Sequence, residues 1–242
     1  MTHILNKIFE QVVCINLINR NDKKIIMQEK FNNLGINVEW CESVTYGFAP
    51  QVVKSIVGSK VGEFNLEQPN ELGAALSHYT VIKYAYEIGL KSIFVFEDDC
   101  LFYKDFNNLI EKSLNELPDN WDMIMLYSFM YKIMNENIRI NKRWMKAFNS
   151  WSLLAYGMNR QMMKDYIDEQ DRMFQIADKA SLRLQTNHKV YISVPCLVIP
   201  NTKMGSDIRK EMNYNSKTLI QSSDGVLIPN ILMFGVNKEN YI

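Results

Sequence analysis

The sequence has no glycine-rich phosphate loop: neither GxxxxGKS/T nor GxGxxG occurs among its 242 residues, so a phosphate-bearing ligand would have to be held by other means. It has no surplus of charge, with Lys plus Arg and Asp plus Glu each totalling 27, which removes the general attraction of a basic surface for nucleic acid or an anionic bilayer. No basic flank leads into an apolar stretch at the N-terminus, and no later run approaches a membrane span. These absences predict a soluble, cytoplasmic protein with no nucleic-acid partner, and leave peripheral membrane contact and oligomeric state open. The four cysteines, Cys14, Cys41, Cys100 and Cys196, form no CxxC pair, so neither a zinc site nor a disulfide framework is suggested and buried reduced thiols are expected. There is no internal repeat and no long polar tail.

What is present is alternation. A hydrophobic fraction of 47% over this length suits one substantial core, a single domain over 1–242 with its core at about 11–208 and an extension at 209–242. QVVCINL (11–17) and NVEWCE (37–42) read as strands around a helix, NDKKIIMQEKFNNL, that Gly35 closes. Residues 43–69 read as a long irregular connection. Asn70 is placed to cap a strongly periodic helix through Leu72, Ala75, Leu76, Tyr79, Ile82 and Tyr86, ended by Gly89. KSIFVF is apolar on both faces, as in the middle of a covered parallel sheet. Asp105 is a candidate cap for the following helix, DMIMLY (122–127) is a strand, and 132–146 reads as a solvated excursion. WSLLAY (151–156), helical NRQMMKDYIDEQ, a helix near 175–186 and KVYISVP (189–195) complete an α/β pattern with a mostly parallel sheet flanked by helices.

The greasy run SIFVF ends abruptly in Glu97, Asp98 and Asp99. Ligands of open α/β sheets bind beyond the carboxyl ends of strands, where loops diverge. Strand alternation would bring Glu97 and Asp99 to one side and send Asp98 to the other. Carboxylates so placed repel unless a cation or donors satisfy them, and Mg²⁺ or Mn²⁺ is the natural partner of such oxygens and of a diphosphate. From position alone, solvated acids capping a turn are an equal reading.

The segments INLINRNDKK (15–24), ELGAALSHYTVIKYA (71–85), IFVFEDDCLF (93–102), LLAYGMNRQMMKDYI (153–167), IADKAS (176–181) and MGSDI (204–208) resemble, in order, the landmarks of glycosyltransferase family 25, which includes lipooligosaccharide and collagen galactosyltransferases. The resemblance implies a GT-A, Rossmann-like nucleotide-sugar fold in which EDD plays the part of a DxD motif. It implies Asp99 as the most direct metal ligand, Glu97 near metal and ribose, and Asp98 among the nucleotide contacts, with Mn²⁺ or Mg²⁺ as cofactor. Asn16, Arg20 and Asp22 would meet base, ribose or phosphate, and His78 would position substrate. The donor implied is a UDP-hexose, galactose or glucose, and the acceptor a hydroxyl of a glycan or glycoprotein.

An inverting reaction needs a carboxylate to take the acceptor's proton. Asp178 is the first candidate and Asp207 the second. Trp151 and Tyr156 read as core aromatics. Asn19, Ala74 and Ala177 depart from the family's usual residues, and they keep open an inactive relative acting as a glycan-binding or interaction module. A metal-dependent phosphotransferase is a weaker third reading.

Overall fold

The computed structural model describes residues 2–44, 55, 70–130, 139–205 and 238–242. Seven strands form the central sheet in the order β2, β1, β3, β9, β5, β10, β7. They are β1 Gln11–Asn16, β2 Glu39–Glu42, β3 Ser92–Glu97, β5 Met123–Met125, β7 Trp144–Lys146, β9 Ala155–Asn159 and β10 Val190–Ser193. Two small antiparallel pairs accompany it: β4 Cys100–Phe102 with β11 Val198–Pro200, and β6 Phe129–Met130 with β8 Ser150–Trp151.

Six helices among the described residues cover the sheet: α1 Ile4–Ile8, α2 Asn21–Leu34, α3 Asn70–Glu87, α4 Phe106–Asn115, α5 Arg160–Arg172 and α6 Ala177–Leu184. The sheet's alternation divides the core cleanly. Val13, Ile15, Val95, Tyr156 and Met158 pack with α3, α5 and α6. Val12, Cys14, Phe94 and Phe96 pack with α1, α2 and α4. Because both faces are covered there, the inner strand β3 is apolar almost without interruption, as the sequence pattern predicts, whereas the edge strand β2 begins and ends in exposed glutamates.

The mixed α/β sandwich expected from the sequence is therefore present. β1, β2, β3, β5 and β10 share one direction, while β9 runs against β3 and β5, and β7 against β10. The reversal of β9 matters for the site, because it brings the start of that strand beside the end of β3: Phe96 pairs with Ala155, and Glu97 N–H donates to the Leu154 carbonyl at 2.8 Å.

Local chemistry explains the helix ends. Gly35 takes φ +73° and its N–H reaches the Phe31 and Asn32 carbonyls, a left-handed closure that a glycine adopts without steric cost. Asn159 caps α5 through its side chain, which accepts from Met162 N–H at 2.8 Å. Asp105 occupies the cap position of α4 without bonding the helix N–H groups; its carboxylate accepts from Asn108 Nδ2 at 2.6 Å instead. Asn70 opens α3 as its first helical residue, and the residues before it lie outside the described ones.

The expected solvated excursion at 132–146 is corrected in its second half. Trp144 is wholly buried, its indole N–H donates to the Ser113 carbonyl at 2.6 Å, and β7 forms the sheet edge. Residues 131–138, and all of 43–69 except 43, 44 and 55, lie outside the described residues. The cysteines are free thiols, with Cys14, Cys100 and Cys196 buried as expected and Cys41 half-buried. Among the described residues no helix is long and apolar enough to cross a membrane.

Candidate active site at the carboxyl edge

β1 and β3 lie side by side between the edge strand β2 and β9, with Ile15 opposite Glu97. Everything that follows these strands converges on one edge: the β1–α2 turn, the end of β2 and the acidic stretch. Strand β3 stops at Glu97, and Asp98 and Asp99 form the turn into β4. Strand alternation thus ceases to govern these side chains after Glu97, and hydrogen-bonding partners decide where they go.

Asp98 goes inward. It is 8% exposed, accepts from Asn16 Nδ2 at 2.8 Å and pairs with Lys23 Nζ at 3.2 Å. Burial pushes its carboxyl above the usual carboxylate range, against the opposing pull of Lys23 and Asn16. Lys23 is itself 2% exposed. In the sequence it is one of two adjacent lysines at the start of α2, and nothing there distinguishes the buried one. The Asp98 carboxylate, expected to contact nucleotide, is thus bonded to Asn16 and Lys23 inside the protein.

Glu97 is half-buried at the strand end, and its Oε1 lies 3.1 Å from His78 Nε2. Asp99 is half-buried in the turn, and its carbonyl accepts from Asn201 N–H at 2.6 Å, tying the turn to the 202–204 segment. Two buried thiols brace the strand end from below: Cys14 Sγ and Cys100 Sγ lie 3.7 and 3.3 Å from the Glu97 carbonyl. Both thiols are pushed up, first by burial and then by neighbouring acids, and so remain protonated.

The β1–α2 turn supplies a cation. Arg20 donates from Nε and Nη2 to Asp22 at 3.0 and 2.9 Å, and also to the Met204 carbonyl at 3.1 Å. The fork holds the Asp22 carboxyl down to about 2. Asn16, buried at the end of β1, donates to the Arg20 carbonyl at 3.2 Å as well as to Asp98. Asn16, Arg20, Asp22 and the acidic turn are thus one hydrogen-bonded unit.

His78 faces this unit from α3. It is 3% exposed, and its Nδ1 lies 3.0 Å from the hydroxyl of Tyr156, the second residue of β9. Its neighbour Ser77 bonds the Gly73 carbonyl, the Ser43 hydroxyl and the Val44 N–H, fastening α3 to the chain after β2. Asp178 stands half-buried in the first turn of α6, and its charge acts on the Tyr156 and Tyr166 phenols. Asp207 lies outside the described residues. The structure therefore gathers Asn16, Arg20, Asp22, His78, Glu97, Asp98 and Asp99 at one edge and adds Lys23 and Tyr156, which the sequence reading missed or assigned to the core.

Among the described residues, no three His, Cys, Asp or Glu side chains form a group able to cage an ion. Glu97 and Asp99 suit a different kind of site, in which a hard cation takes one or two carboxylates and completes its shell with substrate phosphates.

The fold is a mixed α/β sheet with polar and charged side chains gathered at the carboxyl ends of β1 and β3, the edge at which open α/β sheets bind their ligands. Its family is more specific. The chain belongs to glycosyltransferase family 25 (LPS biosynthesis protein), whose profile matches residues 9–179, so its chemistry is glycosyl transfer. The matched span contains every site residue above, Asp178 included, and ends before Asp207.

No curated protein sequence matches the chain. Among solved structures it is similar to mouse xyloside xylosyltransferase 1 in its apo form, with 10% identity, 76% of this chain and 72% of that chain covered, and a TM-score of 0.40. It is also similar to 4-diphosphocytidyl-2C-methyl-D-erythritol synthase from Anaerococcus prevotii, with 10% identity, coverage of 80% and 74%, and a TM-score of 0.36. A third is mannose-1-phosphate geranyltransferase from Thermus thermophilus, with 6% identity, coverage of 75% and 58%, and a TM-score of 0.32.

Proposed function

We propose that the protein is a metal-dependent inverting glycosyltransferase that moves a hexose, galactose or glucose, from a UDP-sugar to a hydroxyl of a glycan or glycoprotein. The observation that carries this reading is the division of labour within the acidic stretch. Asp98 is buried against Asn16 and Lys23, while Glu97 and Asp99 on either side of it are half-buried at the carboxyl edge.

In this reading Glu97 and Asp99 would hold Mn²⁺ or Mg²⁺, which would supply positive charge to offset the negative charge of a departing diphosphate. Arg20, oriented by Asp22, meets phosphate oxygens at the same edge, and Asn16 ties the nucleotide-side turn to the acidic turn. His78 steadies Glu97. Asp178 accepts the proton of the acceptor hydroxyl as the sugar transfers with inversion, and Asp207 is the second candidate for that role.

A screen of UDP-sugars for metal-dependent hydrolysis or transfer tests the proposal. UDP-galactose or UDP-glucose should be consumed only with Mn²⁺ or Mg²⁺ present. A protein that consumes no UDP-sugar and binds neither Mn²⁺ nor UDP would instead be the inactive relative, a glycan-binding or interaction module.

A further inference from the structure

Tyr156 looks like a core aromatic by pattern, and by burial it is one, with no exposed surface. Its hydroxyl nevertheless ends 3.0 Å from His78 Nδ1, and His78 Nε2 ends 3.1 Å from Glu97 Oε1. The three groups form a line from inside the sheet to its carboxyl edge. A buried phenol must place its proton on an acceptor, and among the described residues His78 is the hydrogen-bond partner of Tyr156. Burial, reinforced by neighbouring acids including Glu97 and Asp178, pushes the phenol well up, so its proton stays on oxygen. A carboxylate only accepts, so the ring nitrogen facing Glu97 carries a proton. The nitrogen facing the phenol is left as the acceptor, and the tautomer is fixed from both sides.

We infer that Tyr156 is a positioning residue: by donating to Nδ1 it locks His78 as the Nε2–H tautomer, and that N–H holds Glu97 in one orientation at the donor edge. The antiparallel run of β9 makes the arrangement possible, because it sets Tyr156 opposite Val95, two residues before Glu97. The link is indirect, through the imidazole, as with groups that orient the ligands of a metal from behind. The role given to Glu97 rests on the proposed function; the tautomer assignment does not.

Nitrogen-15 NMR of histidine-labelled protein tests the assignment directly. Unaltered protein should show His78 in the Nε2–H form, and finding the Nδ1–H form there would overturn the inference whether or not any variant folds. In Tyr156→Phe the His78 signals should move toward a tautomer mixture, and the apparent Mn²⁺ affinity of the UDP complex should fall by about tenfold. His78→Gln keeps an amide donor for Glu97 but has no tautomer to set, so adding Tyr156→Phe to it should cost no more than about twofold further. Unchanged His78 signals in Tyr156→Phe, or an equal tenfold loss in the His78→Gln background, would sink the proposal. If unaltered protein ignores UDP and Mn²⁺ altogether, the functional reading fails, while the NMR result still decides the tautomer.

Discussion

The two edges of the sheet carry similar residues put to different use. At the amino edge, Asp122 accepts from Lys189 N–H at 2.9 Å and from Asn159 Nδ2 at 3.1 Å, and lies 3.4 Å from His188 Nδ1. His188 turns its other nitrogen to Asp165, also at 3.4 Å. Those acids splice β5, β9, β10 and α5 together, and their oxygens face protein groups. At the carboxyl edge the same residue types divide. Asp98 is spent on Asn16 and Lys23, much as Asp122 is spent, whereas Glu97 stays half-buried at the end of β3 with His78 beside it. The lesson is that an acid at a strand end says little until its partners are known. A carboxylate spent on architecture and one we propose for a ligand can be neighbours in the chain.

That contrast can be broken most decisively at the carboxyl edge. Asp99→Ala or Glu97→Ala should lower transfer by at least about a hundredfold while leaving the thermal midpoint nearly unchanged, as steady-state rates and a melting curve would show. Asp98 should behave in the opposite way. Lys23→Met leaves its buried carboxylate without its cation and should destabilise the fold by about 3–5 kcal/mol in urea unfolding. Asp98→Asn in the Lys23→Met background should recover part of that loss, because it removes the stranded charge.

Packing behind the site gives a control of intermediate size. A methyl group on Gly157 would sit 2.4 Å from the Phe9 ring, which is itself wedged against Phe94 and Trp121. Gly157→Ala should cost about 1–3 kcal/mol by overpacking, with the UDP affinity of the folded fraction unchanged.

The smallest expected effect concerns Asp22. Its carboxyl is held down to about 2 from an ordinary 3.8 by the Arg20 fork. A depressed folded value means that the Arg20 contact contributes stability above pH 3.8 and loses it as pH falls through about 2. Arg20→Ala should return the Asp22 titration, followed by carboxyl NMR, to the ordinary range.

Much of this was legible in the sequence because periodicity and burial agree. The α3 stripe of Leu72, Ala75, Leu76, Tyr79 and Ile82 is buried along its length, and Gly35 closes α2. The apolar run ending in acids marks the carboxyl edge of β3. Neither the bounds nor the direction of β9 were legible: the run 151–156 reads as the strand while β9 is Ala155–Asn159, and a run apolar on both faces reads the same whichever way it enters the sheet. Lys23 was missed because a single buried cation does not disturb a helical pattern. Tyr156 was assigned to packing because its ring does pack, and its function depends on one oxygen atom. The signal that could have found it is chemical: a tyrosine deep in an apolar strand needs a hydroxyl partner, and His78 was the polar residue on the neighbouring helix stripe.

The central claim, that the flanking acids of the turn hold a dication shared with a nucleotide diphosphate, is tested most directly by calorimetric titration of UDP with and without Mn²⁺. Mn²⁺ should tighten UDP binding by at least about tenfold, and Asp99→Ala should erase the difference. Equal affinity with and without the metal, in a folded protein, would mean that no dication is shared there.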